Sequence, residues 1–263
     1  EGMVKVGDAE TMAREWPRDA ESFVSVSRYL PDAIPVNVGG TVWADGVTIH
    51  HASVQLIGLA SCGHRPFGYC GNDFGAARDL PDKTLDQVES QTRIIRAWLG
   101  RHGYRGTFGV DLLVKDGSSL FTEVNARFQG STAPSSWLSV EAGLPCLPLE
   151  HIAAFLGLEA PARPPLRQQV REARPLAQLV VHWTGDQPAK LRAADLAARL
   201  KTVDPAMRAE VLAPPEVSVD PDGIVGRFVT RRLLTAGGYD LDSSWESHVN
   251  GWNASEFQRL KGR

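Results

Sequence analysis

The 263-residue sequence predicts an α+β protein, an antiparallel sheet with flanking helices followed by a smaller C-terminal α+β unit. Three observations carry this expectation. Two pairs of strand-like runs are joined by turn-forming residues, Asp45-Gly46 in the first pair and Lys115-Asp116-Gly117-Ser118-Ser119 in the second. Asp-Gly between such runs is a strong hairpin signal. Between the hairpins, residues 84–102 repeat apolar side chains at helical spacing. Beyond the proline-dense stretch "EAPARPPLR" (159–167), the pattern resumes as strand, helix and strand.

Taken in order, residues 8–20 predict a short helix ending at Pro17, and "SFVSVSRYL" (22–30) a buried strand by its β-branched and aromatic content. After the turn at Pro31-Asp32, residues 34–58 give the first hairpin. Residues 61–82, rich in Gly, Pro and Asn, are expected as a long loop, and such loops in compact domains often bind or cover ligands. The helix at 84–102 carries Leu85, Val88, Ile94, Ile95, Trp98 and Leu99 on one stripe and stops at Gly103. "YRGTFGVDLLV" and "LFTEVNARFQG" form the second hairpin. "APSSWLSVEAGLP", with serines at its N-cap, and "LPLEHIAAFLGL" each predict a helix. The expected organisation is residues 1–160, a linker at 161–167, and a small α+β domain at 168–263. In that last part "LAQLVVHWTG" and "IVGRFVTRRLLT" read as strands around a helix at 193–201.

Composition narrows the function. A net charge of -3 with 22% charged residues gives no basic surface for nucleic acid. Three cysteines, Cys62, Cys70 and Cys146, are too few and odd for a disulfide framework, so a reducing, cytoplasmic setting is expected. No run approaches the roughly 18 apolar residues of a membrane span, and no membrane partner is expected. The chain does not begin with Met, which leads to the expectation that it is a piece of a longer polypeptide.

The chemistry lies in "FTEVNARFQGST" (121–132). Strand side chains alternate, so Val124, Ala126 and Phe128 share one face and Glu123, Asn125, Arg127 and Gln129 the other. With an odd-numbered connection such as residues 116–118, Asp111 of "GVDLLV" stands across from Glu123. Like charges in that position cost on the order of a few tenths to 1 kcal/mol. A hard divalent cation with oxygen ligands relieves this, and Mg²⁺ is commonly held by one or two carboxylates together with phosphate. A solvated edge strand, with Arg127 pairing Glu123, is the competing reading of the spacing.

The acid of "GVDLLV" followed twelve residues later by "E-x-N-x-R" resembles the magnesium signature of the ATP-grasp superfamily, which includes biotin carboxylase and D-alanine:D-alanine ligase. The resemblance spans residues 23–158. It implies an ATP-grasp-type antiparallel sheet, with residues 1–160 as the C-terminal portion of the module. It also implies ATP and Mg²⁺ as cofactors, with Mn²⁺ as an alternative ion, and Asp111, Glu123 and Asn125 as metal ligands. Arg127 falls beside the reacting phosphoryl group, and Arg28, Tyr29 and Leu30 border the adenine. Asn37 and Gln55 lie near nucleotide or metal, and Ser131 and Thr132 meet the acid substrate. The chain departs from the pattern in its lysines. Lys5, Lys83, Lys115, Lys190, Lys201 and Lys261 include none in a phosphate-gripping glycine loop, and that half is expected upstream.

The activity implied is ligation of a carboxylic acid to an amine through an acylphosphate, with small-molecule or peptide substrates. A biotin-carboxylase-like carboxylase and a non-catalytic nucleotide-binding module are the alternatives. Cys62, His64 and Cys70, with His50 and His51 nearby, lack the paired spacing of a zinc site. The glycines of "GYCGNDFGA" (68–76) mark a candidate ligand loop, and Trp183 and Trp252 are expected in packing.

Overall fold

Residues 3–18, 23–237 and 239–261 are described in the computed structural model, and among them ten strands and seven α-helices form. Helix α1 (Ala9–Glu15) opens on Asp8, whose side chain accepts from Thr11 N at 2.7 Å, and ends before Pro17. Residues 19 and 20 of the expected helix lie outside the described residues. Strands β1 (Ile34–Val42) and β2 (Val47–Ile57) make the first hairpin, and β3 (Tyr69–Asp73) pairs with β2. Helix α2 (Asp82–Arg101) leads to the second hairpin, β4 (Gly106–Lys115) and β5 (Ser118–Asn125). Helices α3 (Thr132–Glu141), α4 (Leu147–Phe155) and α5 (Leu166–Glu172) follow. The remainder is β6 (Ala177–His182), β7 (Ala189–Lys190), α6 (Ala193–Val203), β8 (Arg208–Leu212), β9 (Ser218–Val219), β10 (Ile224–Thr230) and α7 (Ser243–Lys261).

Eight strands form one sheet in the order β5-β4-β1-β2-β3-β6-β10-β8, and every pairing in it is antiparallel. β7 and β9 pair separately. Alternation in β1 sends Val36 and Val38 into a core with Leu85 and Val88 of α2, Val110 and Leu112 of β4, and Leu166 and Val170 of α5. Each such aliphatic side chain, fully buried, contributes about 1.5–3 kcal/mol. A second core gathers Leu56, Cys62, Cys70, Leu179, Val181, Trp183, Trp245 and Trp252, so both tryptophans anticipated as packing residues are buried. On the opposite face a small cluster of Phe74, Leu138, Leu176 and Val229 seats α3.

Several expectations are corrected. Residues 23–30 form no strand, and Phe23, Val26 and Tyr29 are exposed; Ser22 lies outside the described residues. A strand is buried only beside a neighbour and under a covering layer, and β1 already has β4 and β2 on its two edges. The expected loop at 61–82 contains a central strand, β3, and a 3₁₀ turn at Ala76–Asp79. Gly71 serves that strand rather than a ligand: at φ +135°, a Cβ on it would lie 1.9 Å from Gln178 O. Only glycine permits so close an approach of β3 and β6.

The segment after residue 167 continues the same sheet through the three β3–β6 pairs, Gly71↔Leu179, Asn72↔Gln178 and Asp73↔Ala177. Arg163, within the proline-dense stretch, is buried against Glu150. β5 ends at Asn125, where Asn125 O accepts from Arg127 N at 2.8 Å and turns the chain. Ala126 and Phe128 are exposed there instead of entering the core.

Candidate active site

The paired carboxylates owe their register to two compensating irregularities. The β4–β5 turn has two residues, Asp116 and Gly117, both with left-handed φ (50° and 73°), so Lys115 pairs with Ser118. This is the geometry that matches the twist of a hairpin, and it differs from the odd-numbered connection expected. An unbroken ladder from this turn would set Asp111 against Thr122. A bulge between Asp111 and Leu112 takes up Thr122, whose hydroxyl donates to Asp111 O at 2.7 Å, and Asp111 pairs with Glu123.

Directly paired antiparallel residues project to the same face. Glu123, Asp111, Asn37 and Ser53 therefore form one row across β5, β4, β1 and β2. Asp111 Oδ1 accepts from Asn37 Nδ2 at 2.6 Å and Gln55 Nε2 at 3.1 Å, and Oδ2 accepts from Asn125 Nδ2 at 3.0 Å. Asn125 Nδ2 also lies 3.1 Å from Glu123 Oε1. Arg127 does not pair with Glu123. Its Nη2 donates to Asn125 Oδ1 at 2.9 Å and its Nη1 to Phe128 O at 3.1 Å.

Neither Asp111 nor Glu123 forms a salt bridge among the described residues. Burial raises the Asp111 carboxyl to about 6; the Asn37 hydrogen bond opposes this, and the adjoining Glu123 adds to it. Two adjoining carboxylates with no fixed cation bonded to them among the described residues fit a hard divalent ion, while the Asn125 amide turns its Nδ2 to them and its Oδ1 to Arg127.

Gln129 is not on the strand. It folds back over β4, where its Oε1 accepts from Asn37 Nδ2 at 3.0 Å. Gly109 makes room for it, since a Cβ there would lie 1.6 Å from Gln129 Oε1. The following loop is tied down as well. Ser131, buried, donates to Asn37 Oδ1 at 2.6 Å, and Thr132 Oγ1 accepts from Gln129 N at 2.8 Å. Ser131 is the N-cap of α3 without a side-chain capping bond, and the serines expected to cap this helix, Ser135 and Ser136, lie within it instead.

Of the sequence-predicted residues, Asp111, Glu123, Asn125, Arg127, Asn37, Gln55, Ser131 and Thr132 thus come together around one carboxylate. Arg28 and Tyr29 are exposed and Leu30 is half-buried; Lys5 Nζ lies 4.0 Å from the Tyr29 ring centroid. Sequence reading missed Tyr69, Asn72 and Gln178, which extend the same polar face. Tyr69 and Asn72 lie in "YCGND", whose composition reads as loop, and Gln178 lies in "LAQLVVHWTG", read only as a strand.

Among the described residues no group of three or more His, Cys, Asp or Glu is arranged for a metal, which removes the Cys62-His64-Cys70 idea. His50 instead meets Glu150 of α4, Nε2 to Oε2 at 2.9 Å, and Arg163 Nη2 lies 2.6 Å from Glu150 Oε1. Burial alone would raise Glu150, yet its partners hold it at about 2. Burial also keeps His50 below its ordinary range and therefore neutral. The charge facing Glu150 is accordingly that of Arg163, with His50 and Thr48 donating hydrogen bonds. A cavity of about 200 Å³ near Asp32, Leu80 and Lys115 shares no residue with the carboxylate row.

The large antiparallel sheet with flanking helices matches that of ATP-grasp enzymes of known structure. Residues 13–131 match the ATP-grasp domain family. Among solved structures the chain is similar to carboxyaminoimidazole ribonucleotide synthase from Aspergillus clavatus complexed with ATP. The identity is 17% and the TM-score 0.51, over 88% of this chain and 52% of that one. It is also similar to an L-amino acid ligase from Bacillus licheniformis, with 18% identity and a TM-score of 0.56 over 76% and 46% of the two chains. A third is the biotin carboxylase domain of the Hydrogenobacter thermophilus 2-oxoglutarate carboxylase with MgADP, ADP and bicarbonate, at 10% identity and a TM-score of 0.51 over 77% and 42%. At these identities the likeness is one of fold. The chain spans about half the length of the solved structures it resembles. No curated protein matches its sequence.

Proposed function

We propose that this chain supplies the metal-holding and acid-activating part of an ATP- and magnesium-dependent ligase that joins a carboxylic acid to an amine, forming an amide or peptide bond. The observation that carries the reading is the pairing of Asp111 with Glu123 beside Asn125, with no fixed cation to balance them. Asp111, Glu123 and Asn125 would hold Mg²⁺, which when bound supplies charge neutralisation for the phosphates. Arg127, exposed at the rim and steadied by Asn125, faces the charge that develops on the transferred phosphoryl group. Asn37, Gln55 and Gln129 set the orientation of Asp111, and Ser131 fixes Asn37.

Phosphoryl transfer asks mainly for positioning and electrostatics. The acid's carboxylate oxygen attacks the γ-phosphorus, the bond to ADP breaks, and ADP departs. The amine nitrogen then attacks the acyl carbon, the C–O bond to phosphate breaks, and the amine proton leaves with inorganic phosphate. No side-chain nucleophile is required. ATP's adenine is placed by this reading beside Arg28, Tyr29 and Leu30, and the reaction in the cytoplasm.

The test is Mg-dependent ADP release by the full polypeptide that contains this chain, across a panel of acids with amines. Asp111→Asn and Glu123→Gln are each expected to lower the rate at least ~100-fold, the scale of losing a preorganised electrostatic contact. Undiminished rates in both variants would sink the metal assignment. ATP use that needs bicarbonate and no amine would replace ligation with carboxylation.

A further inference from the structure

The polar face does not stop at Asp111. It runs through Ser53 and Asn72 to Gln178 and ends at Arg227 of β10. Asn72 pairs with Gln55 on one side and Gln178 on the other, and its Nδ2 donates to Ser53 Oγ at 2.9 Å. The Tyr69 hydroxyl donates to Asn72 Oδ1 and accepts from Gln178 Nε2 at 3.1 Å. Gln178 Nε2 also reaches Gly130 O at 3.2 Å, next to Ser131 in the loop beyond Arg127. Gly130 is a glycine for that reason, because a Cβ would lie 2.6 Å from the Tyr69 hydroxyl.

Arg227 pairs with Val180, and Gln178 with Val229, so Arg227 and Gln178 project to the same face. Val229 confirms which face this is, since it packs on Leu138 of α3 above the site. The Gln178 and Val180 positions are two residues apart on β6, about 7 Å at the rise of a strand. Two atoms here are left over. Arg227 Nε and Gln178 Oε1 are both buried without a hydrogen-bond partner among the described residues, and Arg227 forms no salt bridge there. Glu210 feels the Arg227 charge without pairing with it, and burial raises its carboxyl. Buried polar atoms are satisfied in the great majority of cases. An unpaired cationic donor and an unpaired acceptor on neighbouring strands, offset by two residues on one face, are complementary to a small molecule carrying a carboxylate and an amine.

We infer that Arg227 and Gln178 form the subsite for the amine substrate, and that this substrate is an α-amino acid. Its carboxylate is received by Arg227 and its nitrogen by Gln178 Oε1, which brings the nucleophile beside Gly130 and the Ser131 loop. The inference rests on the ligase reading, and it makes the C-terminal strands part of the active site. Arg227 is a specificity residue in this scheme: it selects amines that carry an anion.

The experiment is calorimetric titration of the full polypeptide with the proteinogenic L-α-amino acids and with their methyl esters, for the wild type and for Arg227→Met, Arg227→Lys and Gln178→Leu. At least one amino acid is expected to bind, with its ester at least tenfold weaker. Arg227→Met abolishes that discrimination, and Arg227→Lys, which keeps charge and fold, weakens amino-acid binding several-fold. Absence of amino-acid binding, equal binding of the ester, or full discrimination in both Arg227 variants overturns the subsite. Hydroxamate formation from acids, Mg-ATP and hydroxylamine reads the ligase proposal separately, because that small nucleophile needs no carboxylate subsite. Hydroxamate without amino-acid binding removes the subsite alone, and discriminating amino-acid binding without hydroxamate removes the ligase reading alone.

Discussion

Two acids on the same face of the first hairpin meet opposite fates. Glu150 is fully buried, takes hydrogen bonds from Thr48 and His50, and faces Arg163 at 2.6 Å; its carboxyl is held at about 2. Asp111 is half-buried, takes hydrogen bonds from Asn37, Gln55 and Asn125, and faces another carboxylate; its carboxyl is raised to about 6. Both have donors in good number. The difference is a fixed counter-charge, present in one case and left open in the other. A carboxylate with its cation built in ties elements together, here β2, α4 and the stretch around Arg163. One set among amides and a second carboxylate has no such tie, which is what the proposed metal role requires.

The contrast can be broken at either end. The largest expected effect is from Glu150→Ala, which strands Arg163 in the interior; a stability loss of about 3–5 kcal/mol is expected in denaturant unfolding. A loss below about 1 kcal/mol would mean that water reaches the cluster.

Next comes pH. Asp111 has a folded pKa above its unfolded value, so its contribution is fully present below about pH 4 and is lost as pH rises through about 6, an effect of about 2–3 kcal/mol without metal. Glu150 runs the other way: its contribution is present above about pH 4.5 and lost as pH falls toward 2. Asp111→Asn, or saturating Mg²⁺, is expected to flatten the profile between pH 4 and 6. Identical profiles for variant and wild type would remove the assignment.

Gly109→Ala sharpens the comparison from the amide side. Displacing Gln129 is expected to cost about 1–3 kcal/mol, the usual range for overpacking, and to lower Mg²⁺ affinity in a titration. The smallest effect on stability is that of Arg127→Met. This exposed residue is expected to change stability by no more than about 0.5 kcal/mol while ATP turnover falls; a large stability change would make Arg127 structural.

Much of the site was legible because its information is local. Asp111, Glu123 and Asn125 lie on one hairpin, and alternation with a fixed gap brings them together. Asn37 and Gln55 were reached only through the family resemblance. The Glu150-Arg163-His50 cluster was invisible, since its link from His50 to Glu150 spans a hundred positions with no pattern to join them. β3 was misread for a physical reason. Its Tyr69, Asn72 and Asp73 are polar because they serve the site and its surroundings, and Gly71 is required at the seam with β6, so function overrides strand propensity. The strand at 22–30 failed in the opposite sense: its propensity is strong, but no neighbour covers it.

The β4–β5 hairpin reached the anticipated pairing by an unanticipated route, a two-residue turn corrected by one bulged residue. The two irregularities have opposite parity. Removing the bulge while keeping the two-residue turn and the spacing would set Asp111 against Thr122 and rotate Glu123 and Asn125 to the far side of the sheet. At the same spacing, a three-residue turn without a bulge would restore the pairing. When such hairpins are aligned, the spacing from acid to acid is the quantity to hold fixed, and the positions of turn and bulge are free to trade against each other.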